Sequence, residues 1–300
     1  MTTKPQHTTA PNRGGDATGS IAEYWTPERR RAAVLHPALQ GKAPTERNKP
    51  RVEVEPKFAK PTLPAKRMTR AASDRNIYET TPVPDVRAYP ASTVGRIYMT
   101  YGSNDYFATG FVVGNTAVFT VASALYDRGS GQWASNVVFY PQYDFGPGAG
   151  LGPFWIKELW VAANWPETGE LIHDFGALIT TVPISPFTGS VGVMANAPTN
   201  QGQYLAYGYP GTPVPGYPFD GERMWQTVAA YLGDFSWIIQ AGGNMTTGAH
   251  GAPWLIFREG GWYANGIFAV QVVNPDSMLS PYFGNEFWDF FTYLQTKGYI

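Results

Sequence analysis

The chain has 300 residues, of which 45 are aromatic and none is cysteine, and its formal net charge is −1. Without cysteine, a disulfide scaffold, a thiol nucleophile and a thiolate-ligated metal site are excluded. No run of about 18 apolar residues occurs, so we expect no transmembrane helix. The first residues lack an apolar core, so we expect no conventional signal peptide. Low charge with abundant glycine and aromatic residues favours a β-rich globular protein.

Charge is distributed unevenly along the chain. Residues 1–90 carry 16 Lys/Arg and 9 Asp/Glu, whereas residues 91–300 carry 6 and 14. The first segment, here called the arm, holds 12 of the 26 prolines but only 5 of the 45 aromatic residues. It has too little apolar surface to offset its chain entropy, so we expect the arm to be largely disordered. One short helix is predicted within 26–39, where Thr26 can cap and Pro27 begins the helix.

A basic arm on an acidic body has more than one interpretation. It could contact an acidic surface, either of a partner or of its own domain, or it could be a solvated tether. No RGG repeat and no interleaved aromatic residues are present, so we do not expect nucleic-acid binding.

Residues 91–300 form the second predicted domain. Short runs of β-branched and aromatic residues alternate there with Gly, Pro, Asn and Asp, which predicts an all-β sandwich or barrels. A domain of about 200 residues exceeds one small barrel and suits two. The predicted strands are 96–101, 108–113, 116–121, 136–140, 154–161, 176–181, 203–208, 226–231, 237–240, 253–257 and 263–270. An amphipathic helix is predicted at 285–294, with its aromatic side docked on the second barrel.

Three segments carry a resemblance to a known family. They are VFTVASALYD at 118–127, IHDFGALIT at 172–180 and NMTTGAHGAPWL at 244–255. Their order and spacing resemble the trypsin-like serine proteases, in the glutamyl-endopeptidase-like branch. The resemblance extends over about residues 94–300. It implies a trypsin-like double six-stranded β-barrel with a C-terminal helix.

The resemblance implies a role for each matching position. Ser123 stands at the place of the family's general base, and His250 stands at the place of its nucleophile. The family's buried aspartate is matched by Asp174. Both catalytic positions are thus replaced, so we expect a degenerate triad with no catalytic residue. Ala124 and Gly243 stand where the family often has cysteines.

The backbone of the site is expected to persist. Gly248 and His250 match the positions whose N–H groups form the family's oxyanion hole, and Gly251 keeps the turn. Phe268 and Ala269 stand where the family has the polar residues of its specificity pocket. These five residues form the predicted binding surface. A turn retained only for folding is the alternative.

Three functions stay open. The first is a catalytically inactive protease homologue that binds an unknown protein or peptide, or that serves as a structural assembly module. The second is an active hydrolase or peptidase that uses Ser123 and His250, which we disfavour because Asp174 would orient the nucleophile instead of the base. The third is a carbohydrate-binding module that uses exposed aromatic side chains.

We expect neither a cofactor nor a metal. His173, Asp174 and His250 are ligand types that suit zinc, but neighbouring residues of an extended segment point to opposite faces. The stretch 24–35, YWTPERRRAAVL, is similar to part of the family's pro-segment. Because cysteine and a signal sequence are both missing, a cytoplasmic location is favoured. Leaderless export is the alternative.

Overall fold

In a computed structural model of the chain, the described residues are 4–10, 19–36, 55–63, 77–147, 151–273 and 276–300. They are nearly all β, with a few short helices. The strands are β1 (Gln6–Thr9), β2 (Val34–Leu35), β3 (Lys57–Ala59), β4 (Tyr78–Pro82), β5 (Val94–Tyr101), β6 (Asn104–Val112), β7 (Ala117–Thr120), β8 (Tyr126–Asp127), β9 (Gln132–Trp133), β10 (Ser135–Pro141), β11 (Phe154–Val161), β12 (Gly176–Thr180), β13 (Gly192–Ala195), β14 (Gln203–Gly208), β15 (Trp225–Phe235), β16 (Ile238–Gly242), β17 (Pro253–Arg258), β18 (Gly261–Ile267), β19 (Val270–Val272) and β20 (Ser277–Pro281). The α-helices are α1 (Gly19–Tyr24), α2 (Pro27–Ala32), α3 (Trp165–Thr168), α4 (Ser185–Thr188) and α5 (Asn285–Thr296).

The first sheet closes into a barrel of six antiparallel strands. Its order runs β10-β5-β6-β7-β12, and β11 pairs with both β12 and β10, which completes the ring. Phe111, Val118 and Leu178 are fully buried on its strands. Closure pairs most strand edges, which would otherwise attract other chains, but β7 covers the edge of β6 only at Phe111 and Val112.

The second sheet follows the order β19-β20-β16-β15-β14-β17-β18-β13-β3, with β4 also paired to β15. Its strands enclose a separate apolar core that includes Trp254, Phe268 and Met278. The predicted all-β class is therefore confirmed. The last predicted strand, 263–270, is divided in the structure into β18 and β19.

The predicted C-terminal helix is confirmed as α5. Its buried side chains are Phe287, Phe290, Phe291 and Leu294. Its rings contact Phe119 and Phe175 of the first barrel at centroid distances of 5.4–6.4 Å. The helix also lies against β13 of the second sheet, where the Asn196 side-chain amide donates to Asn285 at 2.8 Å. The expectation that it docks on the second barrel is therefore correct only in part, because the helix packs against both sheets. The spacing of its aromatic residues defines an apolar face but does not indicate which barrel covers that face.

The described parts of the arm add strands to both sheets. Strand β1 pairs with β11, and β2 pairs with β6. Strand β3 pairs with β13, and β4 pairs with β15. The described ranges cover 48 of the arm's 90 residues, and these include four strands and two helices, so that part of the arm does not fit the prediction of disorder. For the other residues of the arm, disorder stays a prediction.

The helix predicted within 26–39 is present but shorter. Thr26 caps α2, and its hydroxyl accepts a hydrogen bond from the Arg29 N–H at 3.2 Å. The helix ends at Ala32 because Ala33 is extended, with φ −60° and ψ 127°, and leads into β2. Residues 37–39 lie outside the described residues. Within the described ranges, no helix is both long and apolar enough to cross a membrane.

Candidate functional site

The turn at 246–252 is fixed to the first barrel through Thr109 of β6. The Thr109 N–H donates to the His250 carbonyl at 2.9 Å, and its hydroxyl donates to the Gly248 carbonyl at 2.9 Å. Gly248 and Gly251 have φ values of +97° and +92°, which favour glycine. A Cβ on Gly248 would lie 2.6 Å from the Tyr209 carbonyl oxygen, so this turn has no room for a side chain there.

Ser123 and Asp174 are brought together by two short 3₁₀ turns, Ala122–Ala124 and Leu171–His173. The Asp174 carboxylate accepts a hydrogen bond from the Ser123 N–H at 2.7 Å and another from the Ser123 hydroxyl at 3.0 Å. Asp174 is completely buried, whereas Ser123 is partly exposed.

Burial raises the pKa of Asp174 to about 7, because a carboxylate loses its hydration inside the barrel seam. Hydrogen bonds from Ser123 and from the Ala122 N–H act in the opposite direction and lower this pKa. The carboxyl group therefore titrates near neutral pH.

The His250 side chain is not bonded to Ser123 or Asp174, which occupy the other two predicted triad positions. Its ring stacks on Phe268, with centroids 4.7 Å apart and planes 20° from parallel. Burial lowers the pKa of His250 to about 3, and Nε2 is buried with no hydrogen-bond partner among the described residues. Within those residues, no hydrogen bond joins His250 to Ser123 or Asp174. The predicted triad positions thus divide into a bonded pair and a separate imidazole.

The amide groups of the predicted oxyanion hole are available. Among the described residues, neither the Gly248 N–H nor the His250 N–H donates a hydrogen bond to another group. The neighbouring Gly251 N–H, in contrast, donates to the Phe268 carbonyl at 2.9 Å. Two unpaired N–H groups in one turn can donate hydrogen bonds to a carbonyl or carboxylate oxygen.

The predicted pocket wall is apolar and closely packed. Phe268 and Ala269 are buried, and the Phe268 N–H donates to the Ala252 carbonyl at 2.8 Å. Behind them, Met278 fills the space beside Gly243, where a Cβ would lie 2.6 Å from the methionine Cε. No polar side chain replaces those that the resembling family has at 268 and 269.

Two residues of the arm lie at this site, and sequence reasoning did not identify them. His36 lines a cavity of about 270 Å³ that also reaches Ser123. Its ring lies 5.4 Å from the rings of Tyr101 and Tyr106. Leu35 is the other residue, and its Cδ2 lies 3.0 Å from where a Cβ on Gly248 would stand. The available signal was the pro-segment-like stretch 24–35, which ends at Leu35.

His173 does not join the cluster. Its Nδ1 lies 2.7 Å from Glu286 of α5, so the ring bridges the loop to the C-terminal helix. Among the described residues, no group of three or more His, Asp and Glu side chains could hold a metal ion.

A second cavity, of about 300 Å³, lies beside α5. Trp237 and Tyr282 form one wall, with ring centroids 5.8 Å apart, and Asn196 and Glu286 supply polar atoms. The Trp237 side chain remains 42% exposed. Most other tryptophans are packed in the core, as their strand positions predict.

Solved structures with the same architecture identify the fold. No protein-family model and no curated protein matches the sequence. A thermostable serine protease, AL20, from an extremophilic microorganism is 25% identical, with a TM-score of 0.62, and the match covers 68% of this chain and 97% of that one. The chain has the trypsin-like serine protease fold.

Two further protease structures agree with this identification. The protease Anisep from Arthrobacter nicotinovorans is 25% identical, with a TM-score of 0.62, over 71% of this chain and 97% of that one. A Glu endopeptidase in complex with MPD is 18% identical, with a TM-score of 0.61, over 72% and 96%. The trypsin-like fold predicted from the three segments is confirmed.

Proposed function

We propose that this chain is a catalytically inactive protein with the serine protease fold, and that its cleft binds an extended peptide. The observation that carries the proposal is the pairing of Ser123 with Asp174 through two hydrogen bonds. The only hydroxyl at the triad positions is thereby directed at a buried carboxylate, and no imidazole is bonded to it.

The chemistry of acyl transfer needs a nucleophile, a base within hydrogen-bond reach and a group that orients the base. His250 is the only triad-position imidazole, and its pKa of about 3 makes it a weak base at neutral pH. Its ring is stacked on Phe268 instead of bonded to Ser123. These features favour a binding role over the alternative hydrolase.

Peptide binding is supported by two backbone features of the cleft. The unpaired N–H groups of Gly248 and His250 suit a carbonyl oxygen of a peptide. Beside them, strand β6 accepts an added strand along its edge, as the pairing with β2 demonstrates. A peptide in extended conformation would satisfy both features.

Inactivity is tested by labelling the full chain with a fluorophosphonate probe. We expect no label on the native chain, and the same result for Ser123→Ala. The double variant Ser123→His with His250→Ser is the matched control, and its labelling would demonstrate that the cleft remains intact. Labelling of the native chain at Ser123, lost in Ser123→Ala, would overturn the proposal in favour of the hydrolase.

As a second candidate, we propose that the Trp237 cavity binds a small carbohydrate. An exposed ring beside amide and carboxylate groups suits a sugar, which stacks its apolar face and bonds through its hydroxyls. We expect retention of the native chain on a glycan array and its loss in Trp237→Ala. Equal behaviour of both proteins on the array would rule out this site.

A further inference from the structure

One edge of strand β6 is left open by the first barrel. Strand β7 pairs with β6 only at Phe111 and Val112. The earlier part of the same edge, at Tyr106 and Phe107, is taken by β2 in parallel orientation. The His36 N–H extends this pairing with a long bond of 3.4 Å to the Phe107 carbonyl. An open edge of this kind accepts an extended peptide through its backbone groups.

Leu35 occupies a niche that exists because two residues have no side chain. A Cβ on Gly248 would lie 3.0 Å from Leu35 Cδ2, and a Cβ on Gly211 would collide with the same atom. Phe107 forms the third side of this niche, since its ring would lie 3.0 Å from a Cβ on Gly211 and 2.7 Å from a Cβ on Gly248. The niche therefore accepts a branched apolar side chain next to the oxyanion-type turn.

The preceding part of the arm is bound firmly to the body. Trp25 is 2% exposed, and its Nε1 donates to the Asn136 carbonyl at 2.6 Å. Arg29 pairs with Asp105 at 2.9 Å, which joins the basic arm to the acidic body. Ile21 is buried as well. Residues 21–36, here called the docking segment, thus combine an anchor at Trp25 with a cleft-filling end at Leu35 and His36.

We infer that the docking segment is a tethered ligand of the cleft, which keeps the β6 edge and the Leu35 niche filled until a partner displaces it. The partner is an extended peptide with a leucine-sized side chain, which adds to the same edge in place of β2. This inference rests on the proposed peptide-binding function and adds the chemistry and the control of that binding.

The competition predicts how affinity depends on the arm. When a site is blocked most of the time, the apparent dissociation constant of a ligand is its intrinsic dissociation constant divided by the fraction of protein molecules whose site is free. Releasing the docking segment should therefore tighten binding of a peptide added in trans. Val34 offers a matched control, because its side chain is 54% exposed whereas its neighbour Leu35 fills the niche.

The test uses a fluorescent peptide with the sequence of residues 24–36 and the full chain in three forms: native, Leu35→Asp and Val34→Asp. We expect Leu35→Asp to bind the peptide at least about tenfold more tightly than the native chain, because its own segment no longer competes. Val34→Asp should bind like the native chain. A peptide that carries the Leu35→Asp change should bind none of the three.

Hydrogen exchange and labelling make the outcomes distinct. Faster exchange of the β6 amides at 106–107 in Leu35→Asp, without tighter peptide binding, would overturn the inference. Equal peptide binding by Leu35→Asp and Val34→Asp would overturn it as well. If Leu35→Asp binds the peptide and also reacts with the fluorophosphonate probe at Ser123, the tethered ligand stands and the proposed inactivity fails.

Discussion

The Asp174 carboxylate accepts two hydrogen bonds from Ser123, at 2.7 Å from the backbone nitrogen and 3.0 Å from the hydroxyl. The carboxyl group is fully buried, and its surroundings raise its pKa to about 7. Two donors from one residue therefore compensate only part of the lost hydration. The pair is a structural connection between two turns of the first barrel whose strength depends on pH.

The change Asp174→Asn should alter the pH dependence of stability. The pKa of the Asp174 carboxyl is higher in the folded state than its unfolded value of 3.8. Its contribution to the stability of the fold is therefore fully present below about pH 4 and is lost as the pH rises through 7. Asparagine keeps an acceptor for the Ser123 N–H without the charge. When the pH is raised from 5 to 8, the free energy of unfolding of the variant should rise by about 2–3 kcal/mol relative to that of the native chain. Urea unfolding at the two pH values measures this difference.

Asp289→Asn is the control for that measurement, because Asp289 is exposed on α5 and the charge change is the same. Both variants are unfolded at the same two pH values, so the comparison isolates the effect of the buried position of Asp174. If Asp174→Asn behaves like Asp289→Asn, the carboxyl group does not carry the predicted pH dependence.

The change His250→Leu should have the opposite pH signature. Burial holds the pKa of His250 at about 3, below its ordinary 6.5, so its contribution is present above about pH 6.5 and is lost as the pH falls towards 3. Leucine removes both the titration and the buried, unpaired Nε2. The free energy of unfolding of the variant minus that of the native chain should be about 2 kcal/mol larger at pH 5 than at pH 8.

The same change at exposed His7, whose ring stacks on Trp160 at the surface, is the comparison for His250→Leu at both pH values. A native-like loss of stability at pH 5 in His250→Leu would show that protonation of this ring is not what destabilises the fold in acid.

The sequence predicted the strands of the body and the trypsin-like fold, because alternating apolar residues and the three motif segments are local signals. The roles assigned to Ser123, Asp174 and His250 stay predictions. The sequence did not predict that Ser123 and Asp174 pair while His250 stacks on Phe268. That separation depends on side-chain packing between elements distant in sequence. The sequence also did not predict that the arm pairs with the first barrel. Val34 and Leu35 form a strand only because part of the β6 edge is left uncovered by β7.

The docking segment should loosen in mild acid. Burial among Tyr101 and Tyr106 lowers the pKa of His36 to about 4, although part of the residue remains accessible, and the nearby Asp127 carboxylate acts in the opposite direction. His36 in turn acts electrostatically on His250 and contributes to lowering its pKa, after the larger effect of burial. Docking should therefore be strongest above pH 6.5 and weaken towards pH 4, by about thirtyfold at pH 5. Exchange of the β2 amides, corrected for intrinsic rates, measures the effect.

The variant His36→Gln separates this titration from other acid effects. Glutamine is uncharged at both pH values, so docking in this variant should change little between pH 7.5 and pH 5. An equal loosening of native chain and variant would assign the acid effect to another group.

Trp25 and Arg29 should differ sharply in how strongly they hold the docking segment. Trp25→Ala removes a ring that is 2% exposed and leaves the Asn136 carbonyl without its donor, a change that costs about 3–5 kcal/mol in typical cores. Arg29→Ala breaks an ion pair whose arginine side chain is 43% exposed, and such pairs contribute about 0–1 kcal/mol.

The rate of trypsin cleavage after Arg30 and Arg31 reports release of this segment, because a protease cuts the undocked chain much faster than the docked one. We expect rapid cleavage in Trp25→Ala and near-native cleavage in Arg29→Ala, with Trp25→Phe between them. Since the ring of six strands closes without the docking segment, its thermal unfolding should change less than the cleavage rate. Equal cleavage in Trp25→Ala and Arg29→Ala would mean that the anchor lies elsewhere in the arm.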